Sequence, residues 1–414
     1  MDNALQTKTT GGVNANIVLI SLATILVSVS LGINSILIPV SLSNMGYTEA
    51  FVGGILAFDT IAAVAIALAL SFVLARFDIK RLLIWTTIFR VLPLFLLLLT
   101  DNIVVWSSVI FIHGLALAMF YIGTQTWVNA LPLDKNRGLI IGLYNTAYAI
   151  GLAAGPIIIQ FKEQLEAARI QHFGEITELT SLTSRSILGE TPGMETALLL
   201  SIALTAIGTI PVLFLRKNFP RRTRTKQATI GQVIKSAPDS MLAVCVAGVS
   251  SAGVLAFIAI YGQKNALTMN EAALLLTSFV LGSLTLQTLF SWLSDVFDRR
   301  NTLVVAAFIS MCCAAALPMA IYYIIPALVL VYLWGGAIGG IYSITLAMLG
   351  DEFADNDLST ANAGYELMDN AGGLAGVVII GFFMTAFGSD GLPYVIMFAS
   401  ILYFSFALTR FKVI

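Results

Sequence analysis

The sequence predicts an all-α membrane protein of twelve transmembrane helices, arranged as two six-helix bundles related by pseudo-twofold symmetry. The first observation behind this prediction is the composition, since 58% of the 414 residues are hydrophobic, 11% are charged, and the mean hydropathy is +0.91. A soluble domain carries about 25% charged residues. So few charged residues cannot cover a water-soluble protein of this size, which excludes a soluble enzyme and a disordered, collagenous or disulfide-framework chain.

The second observation is a series of long apolar runs. A helix needs about 20 mostly apolar residues to cross the ~30 Å hydrocarbon layer. Only helices and closed barrels satisfy their backbone in lipid, and these runs are too long and too uniformly apolar for barrel strands. The predicted spans, numbered 1 to 12 in chain order, are 17–40, 51–75, 81–100, 103–130, 138–161, 195–215, 240–262, 270–293, 301–323, 325–349, 359–386 and 391–409.

The distribution of Lys and Arg predicts the orientation of the chain. A cytoplasmic N-terminus leaves 17 basic residues on the cytoplasmic side and 4 on the other, as the positive-inside rule requires. We therefore expect a bacterial inner-membrane protein with both termini cytoplasmic. The polar residues 1–16 are predicted to be a cytoplasmic tail and not part of a cleaved signal, because the apolar run that follows is about 24 residues long.

Two segments outside the membrane divide the chain. A basic cytoplasmic linker at 216–239 separates a first half at 17–215 from a second half at 240–414. An external insert at 162–194 is predicted to be a solvated loop with a short helix at 162–172.

The loops between the second and third spans of the two halves have related sequences. Ser71 to Arg81 in the first half and Ser291 to Arg300 in the second half occupy the same place in a six-span unit. Parallel repeats joined by a central loop are the layout of one large class of transporters, in which two bundles rock around a cleft.

These loops resemble the G-x-x-x-D-R-x-G-R-R signature of the major facilitator superfamily. The resemblance implies a cytoplasmic lock in which an acidic residue contacts a helix end. Ala75 replaces that residue in the first half, so Asp295 is left to carry the contact. The conformational-gating residues implied by the match are Arg76, Lys80, Arg81, Asp295, Arg299 and Arg300.

Span 5 carries a second match to the same family. Gly142, Gly151, Gly155 and Pro156 have the G-x8-G-x3-G-P spacing of its fifth-span signature, which is associated mainly with antiporters. Small residues let another helix approach closely and proline bends a helix, so this face is predicted to form a close-packed, bendable wall between the halves. The alternative is the ordinary glycine content of a membrane helix. The order of motifs, including Asn136-Arg137-Gly138, resembles the YcaD-like branch.

Four charged residues inside the spans are the candidate proton-coupling residues: Asp59 in span 2, Arg90 in span 3, and Glu366 and Asp369 in span 11. A charge at mid-bilayer costs at least about 2.5–3.5 kcal/mol. Asp59 and Arg90 are alternatively a buried ion pair that holds spans 2 and 3 together. Glu366 and Asp369 lie one turn apart with no cation in their span, and a proton on one relieves their repulsion. Glu366 lies nearer the cytoplasmic end, where it is alternatively a solvated mouth residue, so Asp369 is the stronger candidate. The family layout implies that spans 2 and 11 face each other.

Uncharged polar and aromatic residues in the spans are candidate substrate-binding residues. Each is equally well interpreted as an interhelical hydrogen bond or a packing residue. They are Asn34, Gln125, Asn129, Asn145, Tyr148, Gln287, Trp334 and Tyr342. His113 in span 4 is interpreted as a packing residue, with a proton relay as the alternative.

These features together predict a secondary transporter that exports a small organic solute in exchange for protons. Proton-coupled uptake or facilitated diffusion of a metabolite or siderophore is the alternative, and a non-transporting receptor on the same fold is a third hypothesis. The sequence contains no phosphate loop, H-E-x-x-H or G-x-S-x-G motif, so we expect no enzyme activity. We expect no cofactor, metal or nucleic acid; the partners are the solute, protons and the lipid bilayer, and the protein is predicted to be a monomer.

Overall fold

The computed structural model describes residues 2–76, 78–129, 143–159, 194–215, 230–353 and 358–410. Every regular element in these ranges is a helix. In chain order the helices are α1 Asp2–Asn44, α2 Glu49–Arg76, α3 Ile79–Leu96, α4 Ile103–Asn129, α5 Leu143–Ile159, α6 Met194–Leu213, α7 Ile230–Ser236, α8 Pro238–Lys264, α9 Met269–Val296, α10 Arg299–Ala320, α11 Ile324–Glu352, α12 Leu358–Phe387 and α13 Gly391–Arg410.

The predicted fold class is confirmed. Helices α1 to α6 and α8 to α13 occupy the twelve predicted spans, and within the described ranges ten of them are long and apolar enough to cross a membrane. The remaining two are α3, which carries three basic residues in 18 positions, and α5, whose described part is shorter. Only α7 falls outside the predicted spans.

The helix ends differ from the predicted boundaries in three places. Helix α1 begins at Asp2, so its first turns run through the predicted tail. The predicted linker contains α7 and ends earlier, because Pro238 occupies the first turn of α8, where a missing N–H costs nothing. The predicted helix at 162–172 and nearly all of the external insert lie outside the described residues.

Short capped turns make consecutive helices antiparallel. Asp78 caps α3 and Asp298 caps α10, each accepting backbone N–H groups of the first turn. Thr268 and Glu271 form a capping box at α9. Such turns place Glu49 at one end of the bundle and Arg299 at the other, and we call these the Glu49 end and the Arg299 end.

The two halves meet at the Glu49 end. Helix α2 packs against α12 and α1 packs against α8, and these are the main contacts between halves among the described helices. One apolar cluster runs through both halves there, with members such as Ile36, Val52 and Phe257. Towards the Arg299 end the first half has its own cluster around Leu83 and Phe120, and the second half has one in which α7 packs. Among the described helices, the contacts between the halves are therefore concentrated at the Glu49 end.

Candidate functional site

The charged residues of the first half form one cluster between α2, α3 and α4. The Asp59 carboxyl lies against Gly114 of α4, where an added Cβ would be 2.5 Å from Asp59 Oδ1. Arg90 is 1% exposed and acts electrostatically on Asp59, Tyr121 and His113. Glycine at 114 is thus what leaves room for a carboxylate at this depth.

Asp59 and Arg90 do not form the direct ion pair that the sequence suggested. No carboxylate oxygen of Asp59 lies within 4.0 Å of a guanidinium nitrogen, although the two charges attract each other. Among the described residues, neither Nε nor Nη2 of Arg90 has a hydrogen-bond partner. The guanidinium comes from the next helix along, and its reach stops short of the carboxylate, which sequence spacing does not reveal.

The carboxylates of the second half lie on α12 beside α11 and α8. Tyr342 Oη donates to Glu366 Oε1 at 3.0 Å, and the Tyr342 and Tyr365 rings pack edge to face at 5.2 Å. Asp369 lies against Gly248 of α8, where an added Cβ would be 3.0 Å from Asp369 Oδ1. No hydrogen bond to the Asp369 carboxyl is found within the described part of the chain. Glu366 therefore accepts a hydrogen bond from a phenol, whereas in the described ranges no donor does the same for Asp369.

Tyr148 of α5 lies where the acidic residues of the two halves approach each other. It interacts electrostatically with Asp369, Glu366 and Asp59, and its ring packs edge to face on Tyr121 at 5.1 Å. Asp59, Glu366 and Asp369, which the sequence analysis names as candidate proton-coupling residues, thus lie within electrostatic range of Tyr148, a candidate substrate-binding residue. Tyr121, which bonds Ser28 at 2.9 Å, was not singled out.

The two halves repeat each other at the level of single side chains. Thr124 bonds Tyr144 at 2.9 Å and Thr345 bonds Tyr365 at 2.8 Å, with a separation of 20 residues in both pairs. One constant shift in residue number converts the first pair into the second. The same shift aligns four further pairs: Tyr121 with Tyr342, Asn145 with Glu366, Tyr148 with Asp369, and Gly151 with Gly372. Comparing the tyrosines of the two halves would have revealed this signal in the sequence.

The other predicted substrate-binding residues are placed less uniformly. Asn34 is 3% exposed and accepts from Ser201 at 2.8 Å, an interhelical bond within the first half. Trp334 is fully buried against Phe279. Gln125 and Asn145 are exposed and Gln287 is half-buried. The side chain of Asn129 lies outside the described residues.

The glycine face of α5 packs within the first half and not between the halves, which corrects the predicted wall. Added Cβ atoms at Gly151 and Gly155 would overlap the backbone of α1 at Ile25 and Gly32. Small residues on α1 allow α5 to approach this closely. Pro156 follows on the same helix, and Gly142 lies outside the described residues. Gly372 and Gly376 pack in the same way on α8.

The predicted gating residues link helix ends at the Arg299 end. Lys80 Nζ donates to the carbonyls of Leu213 and Leu215 at 2.6 and 2.8 Å and so caps the end of α6. Arg299 pairs with Asp295 at 3.5 Å and with Asp351 at 2.5 Å, which joins α9, α10 and α11.

Two further predicted gating residues, Arg81 and Arg300, take part in helix capping through their backbone N–H groups. The N–H groups of Arg81 and Arg300 donate to the capping carboxylates of Asp78 and Asp298. The side chain of Arg76 is outside the described residues. In the described ranges, no three His, Cys, Asp or Glu side chains form a group that would hold a metal ion.

Comparison with known proteins gives one family. The sequence profile of the family described as Major Facilitator Superfamily matches residues 20–238 and 240–413. A Bacillus subtilis (strain 168) protein, described as the uncharacterized MFS-type transporter YfkF, is 22% identical over 333 residues, which are 78% of this chain and 77% of that protein.

Two solved structures share the fold. The nucleoside transporter NupG superimposes with a TM-score of 0.73 at 13% identity, covering 97% of this chain and 100% of the other. A bacterial homolog to the human lysosomal transporter Spinster, in an inward-facing and occupied conformation, gives 0.68 at 14% identity, covering 96% and 97%. At these identities the likeness concerns the fold alone.

Proposed function

Because the chain belongs to the Major Facilitator Superfamily and is a membrane transporter of that type, we propose that it exchanges a small organic solute for protons by alternating access. The observation that supports this proposal is that Asp59 of the first half and Glu366 and Asp369 of the second half lie within electrostatic range of one residue, Tyr148. Members of this family are not enzymes in general. Carboxylates inside a membrane protein are expensive and typically mark ion pathways.

We assign the Arg299 end to the cytoplasm, following the excess of Lys and Arg in the loops there. The Glu49 end, where the halves converge, is then external. The conformation is therefore closed to the outside. Both bundles around the site belong to one chain, which supports a monomer as the working unit in the bacterial inner membrane.

The charges of the site bear on the class of solute. The site has three carboxyl groups and one guanidinium, that of Arg90, which is buried beside the carboxyl of the first half. A neutral or cationic solute suits such a site better than an anion, since like charges repel. The aromatic faces of Tyr148 and Tyr342 suit an apolar or aromatic body or a cation.

The direction of exchange rests on two features. The span 5 signature resembles that of antiporters, and acidic residues shared by solute and proton would make their binding competitive. Uptake coupled to protons and facilitated diffusion are the alternative modes for the same fold, and a non-transporting receptor is a third possibility. The assignment to the YcaD-like branch rests on the order of motifs and stays a prediction.

Reconstituted protein tests the proposal directly. A thermal-shift screen against metabolites and drugs identifies a solute, because a bound ligand stabilises the folded state by mass action. That solute is then added outside liposomes that contain the protein and a pH-sensitive dye. Antiport predicts that the lumen becomes more alkaline as solute enters.

Three other outcomes would contradict antiport and identify the alternative. Acidification of the lumen indicates symport, and solute entry without a pH change indicates facilitated diffusion. Saturable binding without entry under any gradient indicates a receptor.

A further inference from the structure

A charged contact joins the two halves at the Glu49 end, apart from the acidic site. Glu49 opens α2 in the first half and forms an ion pair with Lys264, the last residue of α8 in the second half. The Glu49 side chain is 8% exposed and that of Lys264 is 41% exposed. A nearly buried carboxylate thus depends on a cation supplied by the other half.

Thr385 of α12 extends this contact to a third helix. Its hydroxyl accepts from the backbone N–H of Ala50 at 2.8 Å. The single hydroxyl hydrogen can be donated either to Gly381 O of the same helix at 3.1 Å or to Glu49 Oε2 at 3.4 Å. Two polar links, the Glu49–Lys264 ion pair and the Ala50–Thr385 hydrogen bond, therefore cross between the halves within one helical turn of α2.

Two glycines below these links let the helices touch. A Cβ added to Gly53 would overlap the carbonyl oxygen of Val377, and one added to Gly381 would overlap that of Glu49. The ring of Phe257 fills the space beside both. Gly54, the next residue along α2, faces open space. Closure at this end thus needs glycine at 53 but not at 54.

The internal repeat indicates that the ion pair is not a by-product of fold symmetry. Thr48 and Thr268 correspond, since each accepts a backbone N–H in the first turn of the helix that follows it. Counted from these threonines, Glu49 corresponds to Met269 and Lys264 to Asn44. The two equivalent residues therefore carry no charge, and the ion pair has no counterpart at the symmetry-related place.

We propose that Glu49, Lys264 and Thr385 form a latch that closes the external end of the cleft and breaks each time that end opens. Separating the halves pulls the carboxylate from its cation, and only water entering the opened cleft replaces the lost contacts. This inference rests on the alternating-access part of the proposed function. It depends on neither the solute nor the coupling ion.

Distance measurement between spin labels tests the latch without solute or gradient. After replacement of Cys245, Cys312 and Cys313, labels are attached at Phe51→Cys and Phe387→Cys, which lie on opposite halves and are exposed. The background with an intact latch should give one short distance. Glu49→Gln or Lys264→Gln should raise the ratio of long to short distances about fivefold or more, and the exchange Glu49→Lys with Lys264→Glu should restore the short distance.

The glycines supply a matched control. Gly53→Ala should open the same end by wedging α2 from α12, whereas Gly54→Ala should leave the distances unchanged. Charge variants that lower thermal stability without changing the distances would make the pair a static support and overturn the latch. A response to Gly53→Ala alone would also overturn it, because helix contact would then suffice. Absence of solute transport alongside the expected distances would refute the proposed function and leave the latch intact.

Discussion

The two halves of the site share a scaffold and differ in charge. Each half has a threonine–tyrosine bond of nearly the same length and a glycine that lies beside a carboxylate. The first half sets one acidic residue, Asp59, against one buried cation, Arg90. The second half sets Glu366 and Asp369 where the first has Asn145 and Tyr148, and no cation faces them in the described structure.

In the first half an acidic residue is accompanied by a cation, whereas in the second half two acidic residues have none in the described structure. The first half is close to neutral within itself, so its charges are suited to holding helices and setting the local field. The second half places two carboxyl groups together with no described cation beside them, so a proton or a cationic group from outside would relieve their repulsion. We therefore propose that the exchange step takes place in the second half, with Asp369 as its main proton-exchanging group.

The largest expected effect comes from neutralising that group. Asp369→Asn keeps the shape of the side chain and removes its exchangeable proton, so coupled flux should fall about 100-fold or more. The measurement is solute-driven pH change in liposomes. Asp101→Asn, in an exposed loop, is the matched control and should transport normally. Normal coupling in Asp369→Asn would contradict the assignment.

In the first half, the main effect of removing the carboxylate is expected on folding stability and not on coupled flux. Asp59→Asn leaves the Arg90 guanidinium buried without an opposing charge and should lower the free energy of unfolding. Removing both charges in Asp59→Asn with Arg90→Gln should recover part of the loss, giving a coupling of about 1 kcal/mol. Thermal unfolding in detergent measures this. Additive losses would show that the two charges do not balance each other.

The smallest changes in coupled flux are expected from removing the hydroxyl groups of Tyr342 and Tyr121, which occupy equivalent positions in the two halves. Tyr342→Phe removes the donor to Glu366 and should reduce coupled flux about tenfold, the equivalent of a hydrogen bond to a charged group. Tyr121→Phe removes only a bond to Ser28, and its flux should fall less than about threefold. Equal effects of the two substitutions would mean that the acidic partner is unimportant.

The sequence predicted the fold because its signals are local. Apolar run length and the placement of Lys and Arg define spans without knowledge of their neighbours, and Asp59 and Asp369 were recognised by their cost in lipid. Helix α7 was missed because it has only seven residues and is stabilised by packing in a cluster with α8, α11 and α12.

The contacts of the site were harder to predict. A membrane helix is apolar on most sides, so periodicity does not tell which face is inside. That is why Asn34 was grouped with the cleft although it bonds Ser201, and why Gly151 was assigned to the boundary between halves although it faces α1. The gap between Asp59 and Arg90 depends on how α2 and α3 are rotated. The corresponding tyrosines of the two halves could have been predicted from the sequence, because they follow from aligning the halves.

The most direct test of the central claim is proton release on solute binding, measured with a pH-sensitive dye in weakly buffered detergent solution. The solute from the thermal-shift screen should release protons from the wild-type protein and from Asp59→Asn. It should release none from the double variant Glu366→Gln with Asp369→Asn. Undiminished release from that double variant, or no release from the wild type, would contradict proton exchange by the acidic residues of the second half.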